Sequence, residues 1–258
     1  MTATAPLEKH VTVNGVRLRY LDWGTEGKMP LICLHGHTAE LHMWDEFAEV
    51  ASSRYYVQAV DQRGHGDSQW ADTSYDRDRF VEDLAEFADA LVLPRFVLVG
   101  LSMGGWNSLL YALDHPERVE KIVIVDIAPQ LSTAFIEMDD KQPLTPMDFS
   151  SLDAAMEWTR QMDPWASEAR LRRETEDKMR QRDDGRWTWK HDRRRGIRRD
   201  RGGEITESAW DDIRKIMCPT LIVRGAESDI FTVGTARKML DIIPGSKLVE
   251  VPLAGHLV

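Results

Sequence analysis

The sequence predicts an α/β protein with a doubly wound, mostly parallel sheet of about eight strands and an inserted helical cap. Three observations support this fold class. Short β-rich runs alternate with segments of helical spacing along most of the chain. The β-rich runs are almost continuously apolar, as expected of parallel strands that are covered on both faces. One long segment interrupts the alternation, and we interpret it as the cap.

The predicted elements follow in chain order. Residues 11–20 alternate apolar and polar side chains around Asn14-Gly15, a pair typical of a tight hairpin turn. The further strand candidates are residues 31–34, 56–60, 96–99, 122–125, 220–223 and 247–251. The helix candidates are residues 41–51, 79–91, 105–113 and 235–242.

Residues 131–212 contain no convincing strand and are rich in charged and aromatic residues. Open α/β sheets bind ligands at the carboxyl ends of their strands, so a segment above that edge would cover a ligand pocket. We therefore expect residues 1–130 and 213–258 to form the core and residues 131–212 to form the cap. Trp158 and Trp187 are expected to line the pocket and to filter substrates by size. The alternative is a surface excursion that does not contact the pocket.

The pattern Gly-x-Ser-x-Gly at residues 100–104 marks Ser102 as a candidate nucleophile. It follows a strand candidate and precedes a helix candidate, so Ser102 lies at a strand-to-helix junction. So sharp a turn strains its apex residue and leaves no room for side chains two positions to either side, which explains the two glycines. The helix N-terminus beside Ser102 favours a developing negative charge. Leu101 and Met103 are expected to line the pocket floor.

A serine hydroxyl group needs a base to remove its proton, and the base needs a carboxylate to orient it. His256 follows the last strand candidate and is predicted to be the base. Asp229 is the preferred acid, because it precedes the helix and strand that lead to the histidine and because Ile230-Phe231 could shield it from water. Asp126, at the end of an earlier strand candidate, is the alternative acid.

Attack on a carbonyl group creates an oxyanion, which needs two preorganised N–H donors. The backbone N–H of Met103, directly after Ser102, is one candidate. The loop after the strand candidate 31–34 should supply the other, and the backbone N–H of His37 is the best candidate there. His35 is expected to hold this loop in place through hydrogen bonds.

Together these pieces resemble the α/β-hydrolase superfamily, in its capped, cofactor-free branch of esterase-like and carbon–carbon-bond hydrolases. The resemblance covers the whole chain outside the cap and implies the hydrolase fold and a Ser–His–Asp machinery, but it does not specify a substrate. The matching pieces are His35-Gly36, residues 61–68 (Asp-Gln-Arg-Gly-His-Gly-Asp-Ser), residues 100–105, Asp126-Ile127-Ala128-Pro129, Asp229 and Gly255-His256.

The sequence departs from the family pattern in two places. Members usually continue for a further helix after the histidine, whereas two residues follow His256 here. Either the sequence is truncated or it omits a tail, and a missing terminal helix would leave this histidine weakly supported. Hydrolases of aromatic ring-cleavage products resemble one another in a Gly-Asn-Ser elbow and an Asn-Trp pair after His-Gly. This chain has Gly100-Leu101-Ser102 and Met43-Trp44 in those places, which disfavours that activity. Superfamily dehalogenases and epoxide hydrolases use aspartate at the elbow, so Ser102 disfavours both.

The resemblance and the candidate residues predict a serine hydrolase that acts through an acyl-enzyme intermediate. Its expected substrate is a small, largely apolar acyl compound, a carboxylic ester or a lactone above all. Hydrolysis of a carbon–carbon or amide bond by the same residues is an alternative, because a fold does not determine the chemistry. A ligand receptor that retains hydrolase residues with little turnover is the alternative from another class.

Composition and charge disfavour several kinds of partner and indicate a location. The formal net charge of -10 over 258 residues disfavours nucleic acid. No apolar run approaches the roughly 20 residues that span a bilayer, and residues 1–6 lack the features of a signal peptide. Cys33 and Cys218 lie in or beside apolar runs and are typical of a reducing compartment. We therefore expect a cytoplasmic protein that acts on a small molecule, with no membrane, metal or cofactor involved and with the oligomeric state open.

Overall fold

The computed structural model of the protein describes residues 5–24, 27–129, 146–193 and 207–258. Its strands are β1 (Leu7–Val13), β2 (Val16–Asp22), β3 (Met29–Leu34), β4 (Tyr55–Val60), β5 (Phe96–Leu101), β6 (Val119–Val125), β7 (Asp148–Phe149), β8 (Met179–Gln181), β9 (Trp187–Trp189), β10 (Thr220–Gly225) and β11 (Lys247–Val251). Its helices are α1 (Asp45–Ala51), α2 (Arg77–Ala90), α3 (Met103–Asp114), α4 (Leu152–Met162), α5 (Glu168–Lys178), α6 (Glu207–Ile213) and α7 (Val233–Ile242), and a short 3-10 turn (Leu41–Trp44) precedes α1.

Eight of the strands form one sheet in the order β1-β2-β4-β3-β5-β6-β10-β11. The β1–β2 and β2–β4 pairs are antiparallel, and the remaining neighbours are parallel. The first pair is the predicted hairpin, whose turn residues Asn14 and Gly15 have φ angles of 47° and 76°. Only residues that tolerate the left-handed region fit such a turn. The doubly wound, mostly parallel sheet predicted from the sequence is thereby confirmed.

Helices cover both faces of this sheet. On one face α2, α3, α6 and α7 contribute to the larger hydrophobic cluster, for example through Leu84, Leu109 and Met239. On the other face the smaller cluster packs beneath α1 and includes Ala48. Every residue of the central strand β5 is buried, which explains its continuous apolar sequence. Within the described ranges, no helix has the length and apolarity needed to cross a membrane.

The cap differs from the expectation of a purely helical segment. Its described part, residues 146–193, contains α4 and α5 but also a small antiparallel sheet in the order β7-β9-β8. Strands of two or three residues are too short to show a period-two pattern, so the sequence did not reveal them. Trp210 of α6 packs in the main core cluster, so the core resumes earlier than residue 213. Residues 130–145 and 194–206 lie outside the described ranges.

The described cap segment lies over the carboxyl ends of the strands. Trp70, in the loop after β4, donates its indole N–H to the carbonyl oxygen of Lys190 at 2.8 Å. The Tyr75 hydroxyl group donates to Asp192 at 2.7 Å. Arg173 of α5 forms an ion pair with Glu46 of α1 at 2.9 Å. These contacts place the cap at the edge of the sheet where the candidate site residues lie.

Candidate active site

The strand-to-helix turn between β5 and α3 has the strained geometry that its sequence predicts. Ser102 sits at its apex with φ 51° and ψ −116°, and its N–H donates to the carbonyl oxygen of Val125 at 2.9 Å. A Cβ atom on Gly100 would lie 2.3 Å from the carbonyl oxygen of Gly104, and one on Gly104 would lie 2.2 Å from that of Leu34. Because backbone atoms cannot move aside easily, both positions require glycine.

The parallel register brings four strand ends to the same edge. Leu101 of β5 pairs with Val125 of β6, which in turn pairs with Val223 of β10. Farther along the sheet, Gly225 of β10 pairs with Val251 of β11. The residues that follow these positions therefore lie side by side. They include the candidate nucleophile and the loops that carry both candidate acids and the candidate base.

A hydrogen bond links the candidate base to a buried carboxylate. His256 Nδ1 lies 2.8 Å from Oδ2 of Asp126, which is 0% exposed, whereas the histidine side chain is 22% exposed. The carboxylate also accepts hydrogen bonds from the Gly225 N–H, at 3.0 Å, and from the Ser228 hydroxyl group. Three donors offset the cost of removing this group from water. A proton on Nδ1 leaves Nε2 of the imidazole free to accept another.

This geometry corrects the preference for Asp229 as the acid beside His256. Asp126 directly follows the end of β6, has a φ of 48°, and accepts a hydrogen bond from the N–H of Gly225 at the end of β10. Asp229 lies four residues beyond Gly225, the end of β10, and is exposed. Asp126, the alternative acid, is therefore the partner of His256 in the structure. It lies at the end of a central strand, where it is buried at the edge of the sheet.

The loop after β3 lies against the serine, as predicted. A Cβ atom on Gly36 would lie 3.4 Å from Cβ of Ser102 and 2.8 Å from Cδ2 of Leu101. His37 is the next residue of this loop, and Met103 is the first residue of α3. The structure thus brings together the two segments whose backbone N–H groups are the oxyanion-hole candidates, and the role of these groups remains a prediction.

His35 holds the loop after β3 through a hydrogen-bond network. The Gln62 backbone N–H donates to Nε2 of His35 at 3.0 Å, so the proton of the neutral ring is on Nδ1, which donates to the carbonyl oxygen of Gly36 at 2.8 Å. The Gln62 side-chain amide donates to the carbonyl oxygen of His35 at 2.8 Å and accepts from Asn107 of α3 at 2.7 Å. The expected structural role of His35 is confirmed, and the network also ties the loop to α3.

The predicted pocket residues pack against two hydrophobic clusters, and their role in a pocket remains a prediction. Leu101 packs beneath Gly36 in the smaller core cluster and is almost fully buried. Trp158 and Trp187 pack against the cap's own hydrophobic cluster, which includes Phe149 and Trp189. A helix pair on a three-stranded sheet needs an apolar layer between them, and these tryptophans supply it. Sequence composition alone does not distinguish a pocket lining from such a core.

Several residues beside the histidine were not identified from the sequence. Ser228 donates to the Asp126 carboxylate, Trp165 packs on Gly255, and Arg170 donates to the carbonyl oxygen of Leu257 at 3.0 Å. Trp165 is one of the cap tryptophans, but nothing in its local sequence separates it from those in the cap cluster. Contacts between residues 87 to 102 positions apart have no local sequence signal.

Two buried carboxyl groups lie near the loop after β3. Burial, and after it the negative charge of Asp61, raises the pKa of Glu40 to about 8. Both Glu40 oxygens accept from the backbone N–H of His42 at 3.1 Å. Burial also raises the pKa of Asp61 to about 6, although the N–H groups of Leu41 and Asp67 oppose the shift by donating to its carboxylate. The protonation of this region therefore changes near neutral pH.

Comparisons with known proteins agree with this architecture. An esterase of Mycobacterium tuberculosis is 29% identical over 235 residues, which cover 88% of this chain and 76% of the esterase. The 2-hydroxy-6-oxo-6-(2'-aminophenyl)hexa-2,4-dienoic acid hydrolase of Metapseudomonas resinovorans is 28% identical over 264 residues, which cover 98% of this chain and 86% of that enzyme. The crystal structure of E-2-(acetamidomethylene)succinate hydrolase superposes with a TM-score of 0.86 at 25% identity and covers 97% of this chain and 92% of that one.

The family model described as "alpha/beta hydrolase fold" matches residues 29–258, which include the sheet from β3 onward, the elbow and the histidine. The relatives above include an esterase and two other hydrolases. The chain therefore belongs to the alpha/beta hydrolase family.

Proposed function

We propose that the protein is a serine hydrolase that cleaves small carboxylic esters or lactones through an acyl-enzyme intermediate. The observation that carries this proposal is the hydrogen bond between His256 and the buried Asp126, at the sheet edge where the strained elbow presents Ser102. Serine, histidine and aspartate are the residue types that act as nucleophile, base and acid in a serine hydrolase.

In the proposed mechanism, Ser102 Oγ attacks the carbonyl carbon of the substrate while Nε2 of His256 takes the hydroxyl proton. Asp126 holds the imidazole in the required tautomer and stabilises the imidazolium ion. The backbone N–H groups of His37 and Met103 donate to the oxyanion of the tetrahedral intermediate. The imidazolium ion then protonates the leaving alkoxide. Finally, the histidine deprotonates a water molecule, which hydrolyses the acyl-enzyme and releases the acid.

The relatives support an ester-type reaction, since one of them is named an esterase. A carbon–carbon-bond or amide hydrolase is the second candidate, because a dienoic acid hydrolase and an acetamidomethylene-succinate hydrolase are also similar to this chain. The elbow sequence Gly100-Leu101-Ser102, in place of Gly-Asn-Ser, favours the ester reaction over carbon–carbon cleavage.

Turnover of p-nitrophenyl acetate and butyrate by the wild type and by Ser102→Ala tests the proposal. Loss of a triad nucleophile typically costs about six orders of magnitude in kcat. Ser53→Ala is the matched control, because Ser53 is exposed and donates only to the carbonyl oxygen of Val50, at the far end of α1. Retention of more than about a tenth of wild-type kcat by Ser102→Ala would exclude Ser102 as the nucleophile.

Labelling with a fluorophosphonate, followed by mass spectrometry, identifies the modified residue, and we expect it to be Ser102. Pre-steady-state kinetics with the same esters separate an enzyme from a receptor, because a receptor would release no more than about one product per protein molecule. A panel of esters, lactones, amides and carbon–carbon substrates then ranks the reactions by kcat/KM.

A further inference from the structure

We propose that two cap residues, Arg170 and Trp165, position His256, so that the base is aligned only while the cap is in place. Both contacts are made to the main chain of the loop that carries the histidine and not to its ring. The inference rests on the proposed function, because it requires His256 to act as the base.

The loop that carries His256 contacts both the core and the cap. It follows β11, and the Glu227 N–H donates to the carbonyl oxygen of Ala254 at 2.9 Å. Beyond Ala254, His256 forms a hydrogen bond with Asp126, and Arg170 donates one to the carbonyl oxygen of Leu257. The cap therefore supplies a hydrogen bond to the main chain of this loop directly after the histidine.

Arg170 is oriented for this contact by its own helix. Its Nε donates to Glu174 at 2.6 Å, one turn farther along α5, and its Nη2 reaches the carbonyl oxygen of Leu257 at 3.0 Å. Burial opposes the ionised form of Glu174, but the charges of Lys178 and Arg170 together hold its pKa below the usual value. Glu174 therefore remains ionised and keeps the guanidinium group directed at the loop. A hydrogen bond from a charged donor is stronger than one between neutral groups.

Trp165 contacts Gly255, the residue before the histidine. Its Cδ1 would lie 3.0 Å from a Cβ atom on Gly255, so the indole ring packs directly on this glycine. The residue lies in the turn between α4 and α5, where the backbone N–H of Trp165 donates to Oδ1 of the buried Asp163 at 3.2 Å. Trp165 nevertheless remains 52% exposed, so the ring is not part of a hydrophobic core.

The two contacts flank the histidine in sequence, at Gly255 and at Leu257. Both come from a cap segment of six residues, 165–170, that includes the start of α5. Movement of this segment away from the core would release both tethers at once and would leave the hydrogen bond to Asp126 without their support. Misplacement of a catalytic group by about 1 Å can cost on the order of a hundredfold in rate. The cap thus couples its own position to the alignment of the base.

Labelling by a small fluorophosphonate tests this inference, because the reaction needs an aligned Ser102 and His256 but little substrate binding. We expect Arg170→Met to lower the second-order labelling rate and kcat for p-nitrophenyl acetate by about tenfold, with KM unchanged within about twofold. Arg172→Met is the matched control, since Arg172 lies on the same helix, pairs with Asp153 and Glu176, and is expected to label at the wild-type rate. Arg170→Lys, which keeps a cationic donor, should recover at least half of the wild-type rate.

A labelling rate of Arg170→Met within about twofold of the rate of Arg172→Met would overturn the inference. A rise in the KM of Arg170→Met with unchanged kcat would also overturn it, because it would indicate a role in substrate binding. If circular dichroism shows that Arg170→Met does not fold, Trp165→Ala takes its place. We expect a fall of about fivefold for that variant, and an unchanged rate would overturn the inference equally. Failure of the wild type to label would instead refute the proposed function, so the two failures are distinguishable.

Discussion

Replacement of Asp126 by asparagine tests the arrangement of the site most directly. The two carboxylate oxygens have different partners: Oδ1 accepts from the Gly225 N–H, whereas Oδ2 accepts from the Ser228 hydroxyl group and from Nδ1 of His256. An amide oxygen must stay at the Oδ1 position, because a buried N–H without an acceptor costs about 1–3 kcal/mol. The amide NH2 group then faces the histidine.

A donor that faces Nδ1 of His256 selects the tautomer with the proton on Nε2. The Ser228 hydroxyl group can rotate and accept, but the imidazole can no longer remove the proton from Ser102. We therefore expect Asp126→Asn to lower kcat by about four orders of magnitude, which corresponds to about 5 kcal/mol of lost transition-state stabilisation. The measurement is kcat for p-nitrophenyl acetate at neutral pH.

Asp229→Asn is the matched control, because this residue is exposed and is the acid that the sequence favours. We expect its kcat to stay within about threefold of the wild type. Urea unfolding should show that both variants are folded. A fall of a thousandfold in Asp229→Asn, together with less than tenfold in Asp126→Asn, would refute the assignment of Asp126 as the acid.

Three further predictions follow from the structure. Gly100→Ala should lower the free energy of unfolding, measured in urea, by several kcal/mol, because the new Cβ would overlap backbone atoms. Gly234 is exposed, and a Cβ there would lie 3.8 Å from its nearest neighbour, so Gly234→Ala should stay within about 1 kcal/mol of the wild type. Equal unfolding midpoints for the two variants would contradict this prediction. Burial raises the pKa of Glu40 from 4.5 to about 8, so the stability of the wild type falls as pH rises through that interval. The Tm of Glu40→Gln minus that of the wild type should therefore increase from pH 5 to pH 8. A Tm difference that stays constant over this range would exclude the shift. Trp158→Ala should lower the free energy of unfolding by about 2–4 kcal/mol, because Trp158 packs against the cap cluster. The ratio of kcat/KM for butyrate and acetate esters should not change, and a changed ratio would indicate that Trp158 lines the substrate pocket.

Elements with a local physical cause were predictable from the sequence. The hairpin at Asn14-Gly15 needs two residues that tolerate positive φ. The elbow needs glycine at positions 100 and 104, since no Cβ fits beside the crossing backbone. The central strands are apolar at nearly every position because both of their faces are covered. Each of these constraints acts within a few residues and therefore leaves a readable pattern.

The tertiary structure decided which groups meet. Asp126 contacts His256 across 130 positions because β6 ends one strand away from the elbow. Gly225 at the end of β10 and Ser228 in the turn after it each donate a hydrogen bond to its carboxylate. Local sequence favoured Asp229, and it could not show that a residue four positions beyond a strand end remains exposed. For the same reason composition could not show that Trp158 packs against the cap cluster or that Trp165 packs on Gly255. Strand register and long-range packing determine these contacts, and neither has a local sequence signal.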